Sequence, residues 1–188
     1  MSGSGSRPLD ADQLPVTHLY LLELGMPFER WHVLGRTGGD AQRVRFTELG
    51  LRDSTDYVVF DYWARRLMPT DARTLVLGPL DTGRRAQALC IREVQAHPQL
   101  VATDRHVTCG GPDLKAVTWT GTALEGTSTL VGGETYTLYL REPAGFRAGA
   151  VTADGAQVVG SVRAGALRLV RLRTVKGRDV NWRVAYSR

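Results

Sequence analysis

The clearest pattern in the chain is an alternation of apolar and polar residues with a period of two. At the C-terminus, "VNWRVAYS" sets Val180, Trp182, Val184 and Tyr186 against Asn181, Arg183 and Ala185, the signature of a strand with one buried face. "TYTLYL" alternates likewise, with Tyr136, Leu138 and Leu140 opposing Thr135, Thr137 and Tyr139. In "ALRLVRLR" the phase shifts from Leu167 and Leu169 to Val170 and Leu172, and a one-residue slip of that kind predicts a β-bulge. Turn-forming clusters fall between these runs: "EPAG" at 142–145, "ADG" at 153–155, "RAG" at 163–165 and "KGRD" at 176–179. Turns spaced roughly ten residues apart predict an antiparallel sandwich.

The first half follows the same rule less cleanly. "WHVLG", "RVRFTELG", "DYVVFDYW", "RTLVLGPL" and "AQALCIREV" each read as a strand bounded by Gly, Pro or Asp. "DYVVFDYW" is apolar on both faces, which predicts a central strand. "LPVTHLYLLELG" fits a strand or a short helix equally well. Helix-period stretches are otherwise nearly absent. The expected fold is therefore all-β, with two consecutive antiparallel β-sandwich (immunoglobulin-like) domains. The expected layout is a flexible Gly/Ser leader or tag over 1–13, a first sandwich over 14–96, a connector over 97–115 and a C-terminal sandwich over 116–188. A connector is expected because a long structureless loop inside one compact domain is unusual.

Composition narrows the functions. The chain has 188 residues and a net charge of +5, enough for one domain or two small ones. No apolar run is long enough to span a membrane, and the N-terminus lacks the pattern of a signal peptide. Of the 24 basic residues, 22 are Arg, spread from Arg7 to Arg188. A nucleic-acid binder gathers such charge into a patch, so this spread points to solvated sheet faces. Localisation and oligomeric state are left open by these features. Cys90 and Cys109 fall short of a structural metal site, which needs four ligands, and read as two buried thiols in preference to a disulfide.

The densest set of reactive side chains is "HPQLVATDRHVTCGG", with Asp104, Arg105, His106 and Cys109. Neighbours in a loop do not make a catalytic triad, which requires a base and an orienting group held by a scaffold. A metal reading of Asp104, His106 and Asp113 names no second-shell partner, and no phosphate-binding glycine loop or other cofactor motif is present. Asp61 stands in an apolar strand and reads as an outward residue or a partner of Arg65. Among the aromatics, Trp31 and Trp182 alternate with apolar residues and read as core. Trp63 and Trp119 sit near strand ends, where a ring can stack on a sugar. The candidate binding residues are thus Trp63, Trp119, Asp104 and His106, with no catalytic residue assigned.

Four segments together resemble a known arrangement: "MPFERWHVLG", "LGLRDSTDYVVFDYW", "HPQLVATDRHVTCGGPDL" and "ALEGTSTLVGGETYTLYLREPAGF". Their order is similar to the region that follows the catalytic barrel in bacterial glycoside hydrolases of the α-galactosidase-like (melibiase) group. The resemblance covers 14–188 and implies β-sandwiches ending in "W-x-V-x-Y". It departs from the group after "WHVLG", where "RTGGD" replaces an apolar residue and an Asn-Trp pair. A (β/α)₈ barrel takes roughly 250 residues, more than this whole sequence, so the group's catalytic carboxylates map to no position here. What the resemblance implies is a non-catalytic accessory or C-terminal region whose partners are carbohydrate or a catalytic barrel. It implies no nucleic acid, membrane or cofactor. The alternative is a free-standing carbohydrate- or protein-binding module. A barrel-buttressing role predicts an exposed apolar patch in the first domain, and a free-standing binder predicts aromatics along one exposed face.

Overall fold

The computed structural model of the chain describes residues 2–3, 7–8, 18–71, 73–80 and 86–188. Strands account for 59% of the chain and helix for 2%, which settles the all-β class. The chain divides into two compact units, Met1–Val94 and Gln95–Arg188.

Unit 1 contains β1 (Ser2–Gly3), β2 (Arg7–Pro8), β3 (Leu19–Gly25), β4 (Arg30–Arg36), β5 (Gln42–Arg45), β6 (Tyr57–Asp61), β7 (Arg66–Leu67), β8 (Thr70–Asp71), β9 (Thr74–Leu77) and β10 (Gln87–Glu93). Its larger antiparallel sheet runs β1-β3-β4-β10-β6-β7, with β2 also on β3, and a smaller one runs β5-β9-β8. Within the segment read as a leader, β1 and β2 pair with β3; the remainder of 1–13 lies outside the described residues. The ambiguous segment at 18–25 is a strand, with Leu19 and Leu21 alternating into the interior and the whole of Leu19–Gly25 paired with β4. Leu21, Leu34, Val59, Leu89 and Ile91 of the larger sheet share one core with Val44, Leu75 and Leu77 of the smaller, and with Phe46 and Leu49 of a 3₁₀ turn at Phe46–Leu49. Every residue of β6 is buried, and it lies inside the sheet, not at its edge. β10 flanks one side and only the two-residue β7 the other. The central strand is β10, between β4 and β6.

Unit 2 contains β11 (Gln99–Thr103), β12 (Leu114–Trp119), β13 (Ala123–Leu130), β14 (Thr135–Arg141), β15 (Arg147–Asp154), β16 (Gln157–Ala164), β17 (Leu167–Arg173) and β18 (Arg178–Ser187). They form two four-stranded antiparallel sheets, β11-β14-β17-β16 and β12-β13-β18-β15, a sandwich-like arrangement. Alternation in β18 is as expected: Val180, Trp182, Val184 and Tyr186 are buried while Asn181 and Arg183 are exposed. In β14 both faces are buried from Tyr136 to Leu140, since it lies between β11 and β17. The expected bulge is not in β17, whose register with β14 is unbroken from Arg173 to Leu167. It falls opposite, in β16 between Val158 and Gly160, so the phase change in β17 answers its neighbour's irregularity.

Residues 97–115, expected as a connector, lie inside unit 2. β11 pairs with β14 along Gln99–Thr103, and its five residues are all buried. A short strand buried on both faces carries no alternation, which is why the sequence reads as a loop there.

Candidate functional site

The candidate residues of the loop at 104–109 are held by structural bonds. Asp104 is half-buried, and its Oδ1 accepts the Thr137 backbone N–H at 2.7 Å, while its own N–H donates to the Thr137 carbonyl at 3.2 Å. The carboxylate thereby continues the β11–β14 ladder past its last pair. Arg105 forms an ion pair with Glu134. His106 is exposed, its Nδ1 accepting the Thr108 N–H at 3.2 Å and lying 2.9 Å from the Thr108 hydroxyl. Cys109 is buried with φ 61°, its Sγ 3.6 Å from the Val107 carbonyl, and Gly110 at φ 129° completes the turn. Cys90 and Cys109 are both buried thiols outside any disulfide. No group of three potential metal ligands converges among the described residues.

Asp113 turns the other way, into the core. It is 3% exposed, and its Oδ2 accepts the Tyr136 hydroxyl at 2.5 Å and the Thr103 hydroxyl at 2.8 Å. Its Oδ1 is buried without a hydrogen-bond partner. Burial pushes the carboxyl pKa up, against the lowering effect of the two hydroxyl bonds. Burial, then the charge of Asp113, holds the Tyr136 phenol well above its ordinary range, so the phenol stays a donor.

Asp61 is fully buried, contrary to an outward-facing or Arg65-paired role. Its Oδ1 accepts the backbone N–H groups of Trp63 at 3.0 Å and Ala64 at 2.9 Å, and its Oδ2 accepts Gln87 Nε2 at 3.2 Å. Gln87 Oε1 in turn accepts Arg36 Nη1 at 3.3 Å. Arg36 is itself fully buried, and its other N–H groups reach the carbonyls of Gly38, Gly39, Asp40 and Gly78 at 2.5–2.9 Å. Sequence reasoning missed this chain of polar contacts, because its members are 26 to 51 residues apart. Its product is a fixed turn that presents Trp63, 56% exposed and edge-on to Tyr62 with ring centroids 4.9 Å apart.

Trp119 is different. Its ring stacks on His97 at 5.1 Å and 5° and meets Phe146 edge-on at 5.7 Å, with Tyr186 tilted against it at 5.9 Å. With one face covered by imidazole, it packs an aromatic cluster of unit 2 and offers little surface to a ligand.

An open concavity of unit 2 lies on the outward face of β12-β13-β18-β15, about 650 Å³ in volume. Cross-strand register lays out its lining in two rows. One runs Thr118, Glu125, Arg183, Thr152, and the other Ala116, Thr127, Asn181, Asp154. Arg183 Nε bonds Glu125 at 2.9 Å, and the Thr127 hydroxyl donates to Asn181 Oδ1 at 2.8 Å. Beneath this face lies Trp182, its Nε1 donating to Ser128 at 2.9 Å. A Cβ at Gly126 would stand 2.3 Å from the Trp182 ring and 2.6 Å from the Ala116 carbonyl, so only glycine fits there. The C-terminal arginines are partly neutralised: Arg168 bonds buried Glu142 at 2.5 Å, Arg163 lies 3.7 Å from it, and Arg183 holds Glu125.

No family model matches this sequence, and no curated protein or solved structure is significantly similar to it.

Proposed function

We propose that this chain is a non-catalytic accessory region of a glycoside hydrolase that contacts carbohydrate, with unit 2 an immunoglobulin-like sandwich. The observation that carries the reading is Trp63: an indole 56% exposed on a turn that a fully buried aspartate holds by two backbone N–H groups. A large aromatic kept at the surface on a turn whose backbone is fixed suits the apolar C–H face of a sugar ring. The non-catalytic part rests on where the acids are engaged. Asp61 and Asp104 bond backbone N–H groups, and Asp113 accepts two buried hydroxyls.

Contact with sugar is favoured over buttressing a barrel by the distribution of exposed apolar residues. Of the six large hydrophobic residues exposed among the described residues, only Trp63 lies in unit 1, which is too little for an extended docking patch there. Affinity electrophoresis in gels containing neutral polysaccharides tests the proposal. Retardation of the wild-type chain, reduced about tenfold in affinity by Trp63→Ala, is the expected result, since stacking losses of about 1–2 kcal/mol are typical of an aromatic contact. Migration unaffected by any polysaccharide would sink it, as would specific cleavage of an aryl glycoside by the purified chain.

A further inference from the structure

The groove on the open face of β12-β13-β18-β15 has unspent hydrogen-bonding capacity. Asn181 uses Oδ1 on Thr127, and its amide NH₂ has no partner among the described residues. Asp154, its cross-strand neighbour, is exposed and carries no ion pair or side-chain hydrogen bond among them. Arg183 spends Nε on Glu125 and lines the same groove as the exposed Thr118 and Thr152. An amide donor beside a carboxylate acceptor is the arrangement that takes a pair of adjacent hydroxyls, one accepting from the amide and one donating to the carboxylate.

Charge then selects among hydroxyl-bearing ligands. Although the whole chain is at +5, the groove holds two carboxylates, Glu125 and Asp154, against one guanidinium, Arg183. That balance repels a polyanion such as nucleic acid or an acidic polysaccharide. The volume, about 650 Å³, falls inside the range of about 300–1,000 Å³ typical of ligand sites. Four strands about 4.8 Å apart give a platform about 14 Å across, longer than one sugar ring.

We infer that this groove binds a short neutral oligosaccharide laid across the four strands, with Asn181 and Asp154 gripping a vicinal diol at one end and Arg183, Thr118 and Thr152 contacting hydroxyls further along. The choice of ligand class rests on the carbohydrate reading proposed above; the location does not depend on Trp63.

The test uses the full chain, titrated calorimetrically with neutral oligosaccharides prepared from galactomannan, arabinogalactan and xyloglucan, and with oligogalacturonate and heparin fragments as acidic controls. Expected are binding to at least one neutral series, weak dependence on salt, and at least a tenfold loss in the Asp154→Ala/Asn181→Ala double variant. Thr152→Arg, which fills the groove from an exposed edge position, should lose binding too, with an unchanged unfolding midpoint. Neutral binding that is lost with Trp63→Ala but unchanged in the groove variants would overturn this assignment and leave the proposed function standing. Binding confined to the acidic fragments and steeply weakened by salt would overturn the ligand class. No binding to any glycan would overturn both.

Discussion

The two units bury charge in opposite ways. Among the described residues, unit 1 places two arginines in its interior, each bonded to oxygen acceptors. Arg36 spends its guanidinium on five oxygens, through Gln87 on the way to Asp61. Arg92 grips Glu29 with Nη2 at 2.7 Å and Nε at 3.3 Å, and its Cζ lies 3.1 Å from the centroid of the Trp31 ring, whose own N–H donates to Glu29. Unit 2 pairs buried Glu142 with Arg168, but gives the Asp113 carboxyl hydroxyl donors and no ion pair among the described residues. A buried ion with all its partners resists pH and fails when one partner is removed. A buried carboxyl held by neutral donors responds to pH instead.

The sharpest way to break this contrast is in unit 1. Arg36→Ala should destabilise that unit by about 4 kcal/mol, because the Gly78 carbonyl and the Gln87–Asp61 pair lose a charged donor where water cannot easily replace it. Urea unfolding read by tryptophan fluorescence would measure the loss, and a change below about 1 kcal/mol would show that the network is not a stabilising device. Next in size, Asp113→Ala should cost unit 2 about 3 kcal/mol by leaving the Tyr136 and Thr103 hydroxyls without an acceptor. Asp113→Asn keeps an acceptor and should cost much less.

The same pair of variants tests the pH response. The Asp113 carboxyl has a folded pKa raised above its unfolded value. Its contribution to stability is therefore fully present below the unfolded value, about 3.9, and is lost as pH rises through the folded one. Wild-type unit 2 should lose stability across that window, and Asp113→Asn should flatten this part of the profile. An identical profile in the variant would refute the assignment.

Smaller effects follow from packing and surface charge. Gly126→Ala should cost about 2 kcal/mol, since the added methyl meets the Trp182 ring and a backbone carbonyl that cannot easily retreat. Smallest is the contrast inside the loop at 104–106. Asp104→Ala should cost about 1 kcal/mol through the lost bond to the Thr137 N–H, and Arg105→Ala less than about 0.5 kcal/mol, because its pair with Glu134 is solvent-exposed. Equal effects would mean that Asp104 is not extending the ladder.

Much of the sheet content was legible in the chain wherever one face of a strand is wet. Val180, Trp182, Val184 and Tyr186 declare their inward face because Asn181 and Arg183 declare the other. Legibility fails where both faces are buried, as in β11, since Leu100, Val101 and Ala102 run together with no polar residue between them to set a period. It fails again for contacts set by topology. Nothing near Asp61 in sequence points to Gln87, and nothing near Arg36 points to Gly78. Of the four candidate binding residues, Trp63 keeps an open ring, Trp119 is stacked on His97, Asp104 bonds backbone, and His106 is exposed beside Thr108. The groove around Asn181 went unnoticed because its members are ordinary polar alternates on four different strands. The one available clue was that Asn181 is the only asparagine in the chain.

The placement of the two thiols has a kinetic consequence. Cys90 is sealed in the central strand of unit 1 and Cys109 in the first turn-and-strand of unit 2, each with no solvent exposure. A thiol reagent can reach either one only when its own unit opens. The chain thus carries one built-in clock per unit. Mapping which cysteine is modified first, and how fast, would time the opening of the two halves separately in a single unmodified molecule.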